Sequence, residues 1–283
     1  MSTTAIRFML AAGIGLVLAQ GAWATDEGAG TNAGCDGPSR DCVAVGHWNF
    51  DVSLGAGLRT DPVVYEAAIP LVVIPHVSYY GKRLFIEDLD FGITMTEGTA
   101  GTLSLTASPG YDRVFFYRSD LQNIFVPGAG VVTGGGAGPP PSPFPARPRH
   151  WTYLAGPEWT FETHGVTGQL DLLHEITAQN HGNEVRAALG IPLGAPGTTL
   201  SANVGLTWES AQIVNYYYGA PGVYEGGGSV NPFVKLSYSR PLRGRWRLLA
   251  FAHCERLGNA IADSPIVNAR YVVTVFAGAN YAF

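Results

Sequence analysis

Between residues 48 and 283 apolar and polar side chains alternate in long runs, and this period restricts the fold more than any other feature of the chain. Trp48, Phe50, Val52, Leu54, Ala56 and Leu58 alternate with Asn49, Asp51, Ser53, Gly55 and Gly57. Leu200, Ala202, Val204, Leu206 and Trp208 alternate with Ser201, Asn203, Gly205, Thr207 and Glu209. Leu89, Phe91, Ile93 and Met95 face away from Asp88, Asp90, Thr94 and Thr96, and similar runs recur near 183–192 and 231–239. In the last run Tyr271, Val273, Val275, Ala277, Ala279, Tyr281 and Phe283 share one face. Period two marks strands with one apolar and one polar face. Strands of about 10–12 residues exceed the usual ~5–6 and match the ~9–11 that a tilted strand needs to cross a bilayer.

Composition decides which face looks outward. A soluble, lipocalin-like barrel would turn its apolar face inward and carry Lys and Glu outside. Here the polar face is rich in Gly, Ser, Thr and Asn, and charged residues make up 14% of the chain against roughly 25% in ordinary domains. Trp48, Trp151, Trp159, Trp208 and Trp246 fall near predicted strand ends, as membrane-interface girdles require. Past the N-terminus no apolar run reaches the ~18 residues of a transmembrane helix. The expected fold is therefore all-β, a transmembrane antiparallel up-and-down barrel embedded in outer-membrane lipid. A net charge of -5 without Lys/Arg runs argues against nucleic acid as a partner.

The first 24 residues read as a secretory signal: Arg7, an apolar run from Phe8 to Ala19, then Ala22-Trp23-Ala24 before the cleavage point. Residues 25–47 form a periplasmic N-terminal segment, and 48–283 the barrel. Cys35 and Cys42 in that segment are a candidate disulfide, which leaves Cys254 as the odd thiol.

The alternation gives strands at 48–58, 70–80, 83–95, 100–107, 112–118, 150–162, 166–178, 183–192, 199–210, 229–240, 244–256 and 268–283. Strand 112–118 is the weakest of these, and without it a ten-stranded count is the alternative. Connections at 81–82, 108–111, 163–165, 193–198 and 241–243 are short. Those at 59–69, 119–149, 211–228 and 257–267 are long, whereas 96–99 and 179–182 break the rhythm. Short periplasmic turns opposite long outer loops are the barrel arrangement. Residues 127–149, with Gly134-Gly135-Gly136 and Pro139-Pro140-Pro141, read as a Pro/Gly-rich outer loop.

Enzyme chemistry finds little support. His76 and Ser78 share a strand face, but residues i and i+2 lie ~6.6 Å apart along a strand, too far for a base to activate a nucleophile. His174, His181 and His253 lack the close spacing of metal ligands. The glycine runs at 134–136 and 226–228 lack the strand-to-helix context of a phosphate loop. The reading is a non-enzymatic protein with no catalytic residues, metal or cofactor. Strand parity instead points Asp51, Asp88, Asp90, Glu158, Glu162, Asp171, Glu175, Glu184 and Glu209 inward, against Arg186, Lys235, Arg245 and Arg247. Such an acidic lumen is either an ion-paired filling or a narrow, cation-leaning pore.

Several segments together resemble the MipA/OmpV family of outer-membrane proteins. They are Trp48 to Leu58, Ile69 through Ile86, Tyr216-Tyr217-Tyr218-Gly219-Ala220, Arg256-Leu257-Gly258-Asn259-Ala260-Ile261-Ala262-Asp263-Ser264-Pro265-Ile266-Val267, and Asn280-Tyr281-Ala282-Phe283. The stretch Ala262-Asp263-Ser264-Pro265-Ile266-Val267 is the most specific, and Asn259 stands where an acidic residue is expected. The resemblance implies a Gram-negative outer-membrane barrel with a scaffold role between a periplasmic murein hydrolase and a murein synthase. A small-solute channel and an adhesin acting through the outer loops are the alternatives.

By the same resemblance the terminal aromatic strand, Tyr281 and Phe283, is the handle that the barrel assembly machinery grips. Deleting Phe283, or changing it to Asp, is expected to leave secretion intact and cut insertion, with protein accumulating in the periplasm. Normal levels of heat-modifiable, membrane-inserted barrel in both variants would rule that role out.

Overall fold

The computed structural model describes residues 45–64, 66, 68–112, 149–194 and 199–283. The expected signal segment, Cys35, Cys42 and residues 127–148 lie outside them. In chain order the elements are β1 (Trp48–Arg59), β2 (Ile69–Tyr80), β3 (Leu84–Glu87), β4 (Asp90–Gly98), β5 (Gly101–Pro109), β6 (Tyr153–Thr163), β7 (Val166–Glu175), β8 (Asn183–Pro192) and β9 (Thr199–Glu209). Helix α1 (Ala211–Tyr218), β10 (Ser229–Pro241), β11 (Trp246–Arg256), the single turn α2 (Asn259–Ala262) and β12 (Tyr271–Ala282) complete the chain. Each strand pairs antiparallel with its sequence neighbours, and β12 returns to β1 to close a barrel of twelve strands.

The alternation seen in the sequence becomes two surfaces. On β1, Asp51, Ser53 and Arg59 are buried, whereas Trp48, Phe50, Leu54 and Leu58 are exposed. Outward side chains at mid-barrel are large and apolar: Leu54 is 50% exposed, Leu105 50% and Leu172 49%. In water such a belt would be a strong aggregation surface. Against hydrocarbon it is the required one, because a closed barrel satisfies every backbone group internally. Trp48 and Trp246 open β1 and β11 at the short-turn end, and Trp151 and Trp208 sit at the opposite rim. Trp159 reaches back toward the short-turn end, donating Nε1–H to the Ala100 carbonyl at 3.3 Å.

The strand count agrees with the sequence, but the partition differs at two places that offset each other: 83–95 supplies two strands, and β5 pairs directly with β6, which leaves the described ladder no position for the expected strand 112–118. The run 83–95 is a tight hairpin, β3 and β4, rather than one strand. Asp88 takes a left-handed conformation (φ 53°), one that Asp tolerates better than most residues. Its backbone N–H bonds the Val77 carbonyl at 2.8 Å, and its carboxylate accepts the Val77 N–H at 3.0 Å. The extra strand reverses the direction of β5, so Ser108 and Pro109 reach the long-loop rim rather than forming a short turn. The connection around 99–100 accordingly lies at the short-turn end. Tyr111 and Asp112 form a single helical turn, and the rest of the expected strand 112–118 falls outside the described residues.

At the closing seam Gly55 lies directly opposite Gly278. A Cβ on either would run into the partner strand's backbone, with the Phe276 ring also in the way at Gly55. Gly55→Val is therefore expected to weaken closure by about 1–3 kcal/mol, the usual cost of overpacking. Gly98→Val, where a Cβ meets nothing within 4 Å, serves as the control. The heat-modifiable fraction against urea concentration measures both, and equal behaviour would contradict the tight seam.

Candidate functional site

At the long-loop end, two segments that read as loops in the sequence fold into the barrel mouth. Helix α1 sinks Ile213, Val214, Tyr217 and Tyr218 to almost complete burial. They pack with Leu257, Ile261, Ile266 and Val267 of the β11–β12 connection, with Val63, and with Leu154, Leu173 and Val272 of the walls. Eight residues in isolation make a marginal helix. Its conformation comes from this packing, and its N-cap, Ser210, makes no capping side-chain bond.

Hydrogen bonds stitch the cap down. Thr152 Oγ1 and Tyr217 Oη lie 2.9 Å apart, and the Tyr216 hydroxyl accepts the His150 N–H at 2.6 Å. Ser264 Oγ donates to the Tyr218 carbonyl at 2.5 Å, joining the two cap segments directly. Asn231, on the inner face of β10, accepts the Gly258 N–H at 2.8 Å and donates to Glu209 at 2.9 Å. Val63 bridges Val267, and the Asn268 N–H bonds the Pro62 carbonyl at 2.9 Å. Among the motif residues, Leu257 and Ser264 are core members of the cap. Asp263 is half-exposed and bonds Arg270 at 2.7 Å, with Arg270 also reaching Asn259 at 3.2 Å. Arg256 is exposed at the rim, and Pro265 is partly buried.

Beneath the cap lies a band of charge. A cavity of about 70 Å³ is lined by Arg59, Asp112, Glu184, Arg186, Glu209 and Glu255 among others. Arg186 meets Glu184 at 2.5 Å and Ser108 at 2.8 Å, and its guanidinium stands 5.5 Å from the Tyr111 ring centre. The Tyr111 hydroxyl in turn donates to Asp90 at 3.0 Å. Burial pushes the Asp112 carboxyl up to about 6, although the Tyr218 hydroxyl donates to it at 2.7 Å and opposes the rise. Burial, with Asp112 beside it, keeps the Tyr218 hydroxyl protonated well above the usual tyrosine range.

The remaining expected lumen residues fall into separate groups. Asp51 is buried and accepts Asn280 Nδ2–H at 2.5 Å, a donor group shared with Ser53 at 3.1 Å. Asp88 sits at the hairpin tip rather than on a strand face, 37% exposed, and holds His76 Nδ1 at 3.1 Å. Glu158 and Asp171 are bridged by Gln169 Nε2 at 3.3 and 3.1 Å. Glu175 belongs to none of these groups: its carboxylate accepts the backbone N–H groups of Thr177, Gln179, Asn180 and His181, and so shapes the β7–β8 connection. Glu162 and Arg245 are exposed at the short-turn rim, not in the lumen. Tyr281 faces outward against Trp246, with ring centres 4.9 Å apart, and Phe283 is 71% exposed. His76 is engaged by Asp88 and not by Ser78.

Sequence reasoning missed Glu87, Glu255, Asp112 and Arg59. Glu87 was lost to the hairpin: it lies opposite Asp90, so both share the inner face, whereas one continuous strand would set them on opposite faces. Its carboxylate accepts from Tyr80 at 2.8 Å. Glu255 has the same parity as Arg247, and that signal was sufficient to find it. The interior is also less polar than its glycine, serine and asparagine content suggests. Leu71, Leu249, Phe251 and Phe276, with Ile74 against them, fill part of the lumen with an apolar cluster.

The Asp112 carboxyl has a folded-state pKa above its ordinary value of 3.8. Its contribution to stability is thus complete below that value and is lost as the pH rises through about 6. Hydrogen exchange of the amides of 211–218 is therefore expected to quicken between pH 4 and pH 7, with intrinsic exchange corrected for. Asp112→Asn should flatten the profile; an unchanged slope in that variant would assign the dependence to another group.

Two solved outer-membrane barrels align with the chain at low similarity. A porin refined at 1.8 Å is 9% identical with a TM-score of 0.32, covering 84% of this chain and 99% of that one. OmpT, an outer membrane protein of Vibrio cholerae, is 8% identical with a TM-score of 0.31, covering 83% and 97%. The strand ladder of the chain itself, not these alignments, defines the fold. Sequence relatives are closer. The MltA-interacting protein of Escherichia coli (strain K12) is 29% identical over 260 residues, covering 85% of this chain and 94% of that protein, and the Shigella flexneri protein of the same name matches equally. The family described as MltA-interacting protein MipA matches residues 54–283, which contain almost the whole barrel and both cap segments, and the chain belongs to that family.

Proposed function

We propose that this protein is an outer-membrane barrel that docks murein-processing enzymes at its periplasmic face instead of transporting solutes. The reading is supported by likeness across almost the whole length of a protein named for its interaction with MltA. The second support is the filled interior. A cap with its own core occupies the mouth, and an apolar cluster lies within the lumen. A barrel whose lumen is occupied at two levels is suited to presenting surfaces. For a periplasmic partner those surfaces are the short turns and the segment before β1. The family segments 216–220 and 256–267 fall in the cap, so their role in this reading is to stabilise the barrel and keep it shut.

The docking role is tested by site-specific photo-crosslinking in intact envelopes. A crosslinker at Lys82 or His164, at the short turns, is expected to capture a murein hydrolase or synthase. The same probe at Val223, at the opposite rim, should not. Capture of no periplasmic enzyme from either turn would overturn the docking role.

Planar-bilayer recording tests the closed lumen, with little or no conductance expected. Stable, anion-selective conductance would contradict both the filling and the acidic character assigned to the interior.

A further inference from the structure

Charge on the short-turn rim is distributed unevenly. The β2–β3 turn carries Lys82 and Arg83, the end of β10 carries Arg240, and the β10–β11 turn carries Arg243 and Arg245. All five are exposed, and among the described residues none makes an ion pair. Among the described residues the exposed acids of this rim, Glu97 and Glu162, stand instead on β4 and β6.

The two basic turns belong to one continuous arc. The Ala282 N–H bonds the Arg245 carbonyl at 3.2 Å, and the Phe283 N–H bonds the Phe50 carbonyl at 2.9 Å. The Gly46 N–H bonds the Tyr80 carbonyl at 2.7 Å, next to the β2–β3 turn. Only β12 and β1 intervene between β11 and β2, so the turns are about 15 Å apart at ordinary strand spacing. No Asp or Glu side chain is exposed along this arc among the described residues.

The cations are interleaved with exposed apolar side chains. Leu84 follows Arg83, Leu242 precedes Arg243, and Trp246 follows Arg245, with Trp48, Phe283 and the half-buried Tyr281 between the turns. Arg240 continues the lipid-facing parity of Val234, Leu236 and Tyr238. Aromatic rings at a barrel rim sit at headgroup level, and basic residues beside a membrane span attract anionic headgroups. An acidic protein face would pair with the cations but leave the leucines and aromatics unmatched. A phospholipid matches both, with phosphate against the cations and acyl chains along the apolar side.

We propose that the arc from the β10–β11 turn through β12 and β1 to the β2–β3 turn is a binding site for anionic phospholipid headgroups of the periplasmic leaflet. It rests on the membrane-barrel fold and is independent of the docking role. A barrel whose lipid site is abolished can still crosslink to a murein enzyme, and the reverse also holds. The site fixes the rotational position of the barrel relative to its anionic lipids, because the β4–β6 rim offers carboxylates instead.

Native mass spectrometry of the full barrel, released from nanodiscs of phosphatidylcholine mixed with phosphatidylglycerol or cardiolipin, reads the site directly. The wild type is expected to retain anionic lipid in preference to phosphatidylcholine. The quadruple variant Lys82→Gln/Arg83→Gln/Arg243→Gln/Arg245→Gln should lose that preference by roughly fivefold or more. Glu97→Gln/Glu162→Gln should retain it, and 0.5 M salt, which shortens the screening length to about half its physiological value, should weaken it. Heat-modifiable mobility checks that each variant is folded. A folded quadruple variant with wild-type retention, or a wild type showing no preference, overturns the proposal. In the second case an acidic protein partner becomes the better reading of the arc.

Discussion

Every backbone N–H and C=O placed in hydrocarbon must find a partner within the protein, and the rest of this structure depends on that requirement. A ribbon of twelve strands meets it only when β12 returns to β1. The opposed Gly55 and Gly278 let those two strands approach without side chains between them. Once the ring is closed the alternation has no freedom left: one set of residues meets lipid and the other is enclosed. The enclosed carboxylates then need cations and hydrogen-bond donors around them. Arg186 with Glu184 and Ser108, and Asn280 with Asp51 and Ser53, supply such partners.

Hydrophobic burial works in two separate places in this molecule. Outward side chains stabilise the barrel by contact with lipid and contribute nothing to an internal core. The cap is a small water-excluding core of the globular kind, assembled from α1, the β11–β12 connection and the first residues after β1. It therefore follows the rules of soluble proteins, with close packing and satisfied buried polar groups, whereas the belt needs only to be apolar.

That division explains what could be read from the sequence. Strand faces were legible because a lipid-facing wall keeps polar side chains to its rims, and the outward positions from Trp48 to Leu58 and from Tyr271 to Tyr281 are apolar or aromatic throughout. The hairpin at Asp88 was not legible, because alternation before the turn and after it reads as one run. Only the left-handed backbone at Asp88 and its bonds to Val77 mark the reversal. Helix α1 was not legible either, since nothing local holds Ala211–Tyr218 helical. The partners that hold it, among them Thr152, Ser264 and Leu257, are far away in sequence. The Tyr216-Tyr217-Tyr218 and Ala262–Val267 segments could be singled out by resemblance, but not their meeting in the barrel mouth.

The pairing of Val63 with Val267, and of Asn268 with Pro62, has a consequence for the order of assembly. The β1–β2 connection and the β11–β12 connection flank the seam, one from each side, and they touch only where β1 and β12 have already met. The contact acts as a latch across the closing seam, and it joins residues more than 200 positions apart in the sequence. Such long-range contacts are slow to make because a long loop must close before they form. A barrel still open at the seam cannot make this contact, so the latched mouth is a record of completed closure.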